Sequence, residues 1–420
     1  MTTAIVLTFV LGYIAIAFEH SIRINKAASA LVSAVVCWTF YIMLSGDKEA
    51  VTHHLSEHLG EISGILFFLL GAMTIVELID VHDGFKIITD RIQTQNPVKL
   101  LWLVAIITFF LSAILDNLTT TIVMVSMLRK IIGDQQMRLF FAGMVVIAAN
   151  AGGAWSPMGD VTTTMLWIGG QITALNIMLK VFLPAVICLL VPVLIISRQL
   201  KGKIEPPASE EVSSDTSQRQ RAAVFSIGLG SLLFVPVFKT ITHLPPFMAI
   251  LLGLGIMWIL TELIHRGKND QDKDFYSVAH ALRKIDTPSI LFFLGILVSI
   301  SALESTGILG GLANWLSHSV GNDSVIVTLI GLLSAVVDNV PLVAAAQGMY
   351  SLEQYPADHY FWEFLAYATG TGGSVLIIGS AAGVAAMGME KIDFFWYLKR
   401  ISWLALVGYF AGCATFLLFS

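Results

Sequence analysis

The 420-residue chain is 56% hydrophobic and 13% charged, with a mean hydropathy of +0.80, more apolar side chain than a water-soluble fold can cover. Its formal net charge of -5 is small for this length, and no basic block of the kind that grips nucleic acid occurs, so nucleic-acid binding is set aside. Cys37, Cys188 and Cys413 stand far apart inside apolar runs, without the spacing of a metal site or redox pair, and read as packing residues.

The opening Met1-Thr2-Thr3-Ala4 lacks the basic region of a signal peptide, so the first apolar run is expected to be a retained helix. Apolar runs of spanning length follow one another at 4–19, 27–44, 62–81, 137–170, 176–197, 222–241, 246–264, 288–304, 360–388 and 393–419. A β-barrel would show short alternating strands instead. The pattern predicts an all-α integral membrane protein with about ten transmembrane helices.

Two further apolar segments, 98–130 and 323–350, are each interrupted near the middle by Asp-Asn and are short for two crossings, which predicts re-entrant hairpins. If both hairpins return to the face they left, the basic residues collect on one side. Arg23, Lys26, Lys86, Arg91, Lys99, Arg129, Lys130, Arg138, the stretch 265–284, Lys391, Lys399 and Arg400 then lie inside, with Asp47, Glu49, Glu57, Glu353 and Asp358 outside. Both termini are predicted to be periplasmic, in a bacterial inner (cytoplasmic) membrane.

Residues 198–221, rich in Ser, Glu, Gln and Pro, read as a flexible cytoplasmic linker between halves 1–197 and 222–420. The halves repeat. Leu111-Ser112-Ala113-Ile114-Leu115-Asp116-Asn117 matches Leu333-Ser334-Ala335-Val336-Val337-Asp338-Asn339, an offset of 338 − 116 = 222. Gly152-Gly153 with Gly159-Asp160 matches Gly372-Gly373 with Gly379-Ser380, an offset of 372 − 152 = 220. Ile65 to Leu69 matches Ile290 to Leu294, on helices that the topology runs in opposite directions. Two inverted repeats follow, each with a hairpin and a broken helix, the latter at 137–170 and 360–388. Such repeats place a site near the bilayer midplane, where freed backbone groups can coordinate an ion, and so point to secondary transport.

An ionised carboxylate at mid-membrane costs about 2.5 to 3.5 kcal/mol even on the lenient insertion scale. Asp116 and Asp338 are expected at that depth, each followed by Asn117 or Asn339 and preceded by Ser112 or Ser334. Hard oxygens of this kind suit a small cation. Thr119, Thr120 and Thr121 make the first site the more polar; the second offers Val340, Pro341 and Leu342. Capping of the following half-helix is the alternative role for Asp-Asn.

The other break, Asn150 to Thr164, contains Pro157, Asp160, Thr162 and Thr163. Asp160 is expected to face Asp116 across the repeat interface, two acids in one cavity, where proton and Na+ compete for the same oxygens. The matching stretch Ala368 to Ser380 has hydroxyls and glycines without an acid, and reads as a backbone ligand or a hinge. Glu77 and Asp80, with His82 and Asp83 at the end of the third span, and Glu304 in the second half are candidates for a proton path or for solvated interfacial charges. His53, His54 and His58, with Glu57 and Glu61, read as a solvated outer loop rather than a pH sensor.

The motifs Ser112 to Thr121, Gly152 to Thr164, Ser334 to Val343 and Gly370 to Gly379 resemble those of NhaD-type sodium/proton antiporters of the ion transporter superfamily, and the resemblance covers nearly the whole chain. It implies a homodimer with a scaffold and a moving transport part, exchanging cytoplasmic Na+ or Li+ for external H+ without a cofactor. Carried over by motif, Ser112, Asp116, Asn117, Asp160, Thr162, Thr163, Ser334, Asp338 and Asn339 form the functional set, to which the hydroxyl pattern adds Thr120. Related carriers of dicarboxylates and oxyanions have Ser-Asn-Thr at the hairpin tip, so acid at Asp116 and Asp338 argues against an anion. An intramembrane aspartyl protease using Asp116 and Asp160 fails on motif, since Pro157-Met158-Gly159-Asp160 lacks the first glycine of Gly-x-Gly-Asp.

Overall fold

The computed structural model describes residues 2–17, 19–89, 94–200, 202–204, 217–266 and 274–419. Regular structure among them is helical throughout. The main helices are α1 (Thr2–Ala17), α2 (Lys26–Leu44), α3 (Lys48–Val81), α4 (Pro97–Leu115), α5 (Asn117–Ile131), α6 (Gln135–Ala154), α7 (Val161–Ile168), α8 (Ala174–Ser197) and α9 (Gln218–Thr242). There follow α10 (Pro246–Ile264), α11 (Thr287–Ser305), α12 (Ile308–Val320), α13 (Asp323–Leu333), α14 (Asn339–Met349), α15 (Tyr360–Gly372), α16 (Ala381–Glu390) and α17 (Ser402–Phe419). Among the described residues nine helices are long and apolar enough to cross a membrane, or ten if α12 and α13, bent by 116° at a short break, make one span. The protein is therefore a multi-pass membrane protein, because only a helix satisfies every backbone group within one segment when lipid is the solvent.

Several boundaries differ from the sequence reading. The third span begins at Lys48 rather than near residue 62: Asp47 caps it by accepting from the Ala50 amide at 3.0 Å, so the histidine-bearing segment expected as a loop is helix. At 34 residues and about 1.5 Å per residue it runs about 51 Å, well past a hydrocarbon core of about 30 Å. Helix α4, expected as one hairpin limb, is long and apolar enough to span by itself. The linker ends earlier than expected, because Ser217 and Gln220 form a capping box that starts α9 at Gln218. Helix α12 was not anticipated, and the run 393–419 divides into a short helix, Phe394–Arg400, and α17. Arg91 and most of the expected linker, 205–216, lie outside the described residues.

The helices pack as two groups. In one, α1 lies on α2, α2 on α11, α11 and α10 on α3, and α9 on α10. In the other, α4 and α5 pack on α6, α16 on α5 and α6, α13 on α15, and α8 on α17. The groups meet at α7 and α14, which touch each other and α15 of the second group while contacting α3 and α11 of the first, and where α9 contacts α4. The three cysteines are free and buried.

Candidate functional site

Four helix breaks supply the site, and each is capped by its own side chain. Between α4 and α5 a single residue, Asp116, turns the chain with φ 101° and ψ 159°, a region that glycine ordinarily occupies and that costs another residue about 1–3 kcal/mol. Its Oδ1 accepts from the Thr119 amide and its Oδ2 from the Thr119 hydroxyl, both at 2.8 Å. Asp160 caps α7, accepting from the Thr162 amide at 3.0 Å and the Thr162 hydroxyl at 2.9 Å. Asp338 caps α14 by accepting from the Val340 amide at 3.3 Å. Ser380 caps α16 in the same way, from the Gly383 amide at 3.2 Å. The capping role weighed for Asp-Asn is therefore present, together with more.

The two asparagines, not their aspartates, converge on the third acid. Asn117 Nδ2 donates to Asp160 Oδ2 at 2.8 Å, and Asn339 Nδ2 reaches the two Asp160 oxygens at 3.2 and 3.4 Å. The carboxylate is 2% exposed, is held by neutral donors from three separate elements, and has no lysine, arginine or histidine within ion-pair distance among the described residues. Asp116 and Asp338 both lie within electrostatic reach of it. The expected direct facing of Asp160 and Asp116 is thus mediated, with Asn117 making the contact.

Asn150 extends the network. Its Oδ1 accepts from Asn117 Nδ2 at 3.0 Å, and its own Nδ2 donates to Ser374 and Ser380 hydroxyls, each at 2.9 Å. First-half helix α6 is thereby tied to the second-half break expected to be a hinge or backbone ligand. Ser112 and Ser334 spend their protons on packing, donating to the Ala149 carbonyl at 2.6 Å and the Thr369 carbonyl at 2.7 Å. The hydroxyls of Thr120 and Thr163, in the first turns of α5 and α7, are buried without a hydrogen-bond partner, the kind of orphan oxygen a buried site otherwise satisfies.

The backbones come close enough for this because of glycine. A Cβ on Gly152 would stand 2.2 Å from the Phe109 carbonyl oxygen, and one on Gly372 would stand 1.9 Å from that of Gly331. Cβ atoms on Gly159 and Gly379 would also be too close, 2.6 Å from the Ser112 carbonyl oxygen and 2.5 and 2.7 Å from those of Ala335 and Ser334.

Other candidates lie elsewhere. Glu77 is half-buried and Asp80 exposed near the end of α3, away from the Asp160 cluster; the neighbouring His82 is buried and bonds to His265 at 2.9 Å. Glu304 is exposed and lines a cavity of about 410 Å³ with His58, Glu61, Gln171 and Gln347, bounded also by Met165 and Ile168 of α7. His58 bonds the Ser305 hydroxyl at 3.0 Å and His54 the Tyr41 hydroxyl at 3.3 Å, so only His53 fits the solvated reading.

Sequence reasoning missed three partners. Lys26 Nζ pairs with Asp338 Oδ2 at 3.2 Å. Asn150 was signalled only by being an amide inside an apolar helix. Buried Glu390 receives Arg129 at 2.6 Å and Arg138 at 2.7 Å, joining the end of α16 to α5 and α6.

Membrane-length helices whose breaks enclose a buried carboxylate define a membrane transport protein. The chain belongs to the citrate transporter (CitMHS) family, matched over residues 13–372, and within it stands with the NhaD-type antiporters. It is 52% identical to sodium/proton antiporter 1 of Arabidopsis thaliana over 416 residues, 99% of this chain and 72% of that protein. Sodium/proton antiporter 2 of the same plant is 48% identical, over 98% of both chains. The Na(+)/H(+) antiporter NhaD of Vibrio cholerae is 30% identical, over 99% of this chain and 91% of its own length. The protein is a transporter and not an enzyme.

Proposed function

We propose that this chain exchanges cytoplasmic Na+ or Li+ for external H+ by alternating access, the two ions competing for the Asp160 carboxylate. The observation that carries the reading is Asp160 itself: a buried acid at a helix break, held by neutral amides and hydroxyls and, among the described residues, by no cationic side chain. A proton or a small cation neutralises it, and either alone suffices, which couples their movement in opposite directions. Asp116 and the oxygens of Thr120, Thr162 and Thr163 complete the proposed ion-binding set, with Ser112, Asn117, Ser334 and Asn339 placing it; Glu304 at the cavity beside α7 is the proposed outer proton entry.

The halves 1–197 and 222–420 are proposed to be inverted repeats with re-entrant hairpins, both termini facing the periplasm of a bacterial inner membrane. Support comes from matched contacts: Ser112 and Ser334 bond the carbonyls of Ala149 and Thr369, and Gly152 and Gly372 press on Phe109 and Gly331. The names of the relatives favour sodium/proton exchange.

The test is reconstitution into vesicles with a trapped pH dye and an acidic lumen. Lumenal alkalinisation on external Na+, lost in Asp160→Asn, is expected. The family's description favours a second reading, a citrate carrier; uptake of citrate with no response to Na+ or Li+ would overturn exchange in its favour.

A further inference from the structure

Asp116 and Asp338 occupy matched positions, yet their second oxygens have different partners. Asp116 Oδ2 accepts from the Thr119 hydroxyl. The residue matched to Thr119 is Pro341 (119 + 222 = 341), which has neither a hydroxyl nor an N–H to give. Asp338 Oδ2 instead receives Lys26 Nζ at 3.2 Å, with the two side chains 26% and 17% exposed. Lys26 is the first residue of α2, where a cation opposes the helix dipole, so the stability of α2 does not account for its charge. The ammonium also lies 4.3 Å from the centre of the Phe292 ring, a cation–π contact that adds to the hold. Helix α2 belongs to the first helix group, and α14 contacts both α11 of that group and α15 of the second, so the ion pair lies at the boundary between them.

We propose that Lys26 is a tethered counter-cation for Asp338: its ammonium holds the place that a transported Na+ takes beside the first-half acids, so that the second half-site carries no exchangeable cation. This rests on the exchange reading above. Two monovalent cations on one carboxylate oxygen repel each other strongly in a poorly screened site. The Na+ bound per chain and the charge moved per cycle are then set by Asp116 and Asp160. Lys26 and Asp338 together line a small cavity of about 80 Å³ with Tyr13 and Glu19, and Lys26 also lines a larger one of about 310 Å³ with Leu118 and Asp286, so removing the ammonium opens space for Na+ beside Asp338.

The experiment measures radioactive sodium bound per chain at saturation on the purified full-length protein, with dye-reported exchange in vesicles alongside. Lys26→Gln is expected to bind more Na+ per chain than the wild type, Lys26→Arg to match the wild type, and Lys26→Gln with Asp338→Asn to return to the wild-type capacity. Asp338→Asn alone, which does not depend on Lys26→Gln folding, is expected to keep the full capacity. Loss of capacity in Asp338→Asn, or unchanged capacity in a Lys26→Gln protein that still exchanges, overturns the inference while leaving exchange intact. A wild type that neither binds nor exchanges Na+ overturns the exchange reading beneath it.

Discussion

Replacing Asp160 with Asn keeps the shape of the side chain and removes its charge. Asn caps a helix about as well as Asp, so α7 keeps its start at Val161 and the protein is expected to reach the membrane folded. The cost falls on cation binding. For a carboxylate 2% exposed an effective dielectric of about 20 applies, and a unit charge about 4 Å away then contributes about 4 kcal/mol. With no lysine or arginine among the described residues beside Asp160 to offset that attraction, Asp160→Asn weakens Na+ binding by about a thousandfold, at 1.4 kcal/mol per tenfold. The assay is Na+-dependent proton movement in vesicles, titrated over a wide range of Na+, with thermal melting of the same preparation as the control. A variant that melts near the wild type and retains an apparent Na+ affinity within about tenfold of it refutes the assignment of Asp160 as the central acid.

Because a proton on Asp160 removes the charge that attracts Na+, the apparent Na+ affinity of the wild type is expected to fall as pH is lowered; binding measured at several pH values in Asp160→Asn should show this dependence flattened. Asp116→Gly removes a residue held at φ 101° and relieves about 1–3 kcal/mol of backbone strain, offset by the lost Thr119 contact and by about 0.5–1 kcal/mol of glycine entropy. Its melting should therefore stay within about 1 kcal/mol of the wild type while exchange falls sharply, and a large destabilisation would contradict the strain argument. Glu390→Gln removes the ion pair of the partly buried Arg138, which keeps only the Ile132 carbonyl at 3.0 Å, with Arg129 nearly half in solvent; a loss of about 2–3 kcal/mol is expected in chemical denaturation, below the figure for a fully buried pair.

The membrane class and the order of breaks were legible in the sequence because both are local: apolar runs set the helices, and Asp116, Pro157, Asp160 and Asp338 announce the interruptions. The third span was misread at its start because hydropathy registers lipid, whereas the Asp47 cap and the polar residues after it continue a helix into water. The motifs also named the acids and amides that the structure gathers at the candidate site, but not which would touch. Each Asp-Asn pair could present either side chain inward, and only the packing of α5, α7 and α14 turns both asparagines onto Asp160 and leaves Asp116 and Asp338 as caps. Lys26 was legible as a basic residue expected on the cytoplasmic side, but its partner lies 312 residues away. Composition and period determine what a segment must do about lipid, residue by residue; which charges meet depends on contacts between helices remote in sequence, and those exist only once the two groups have packed.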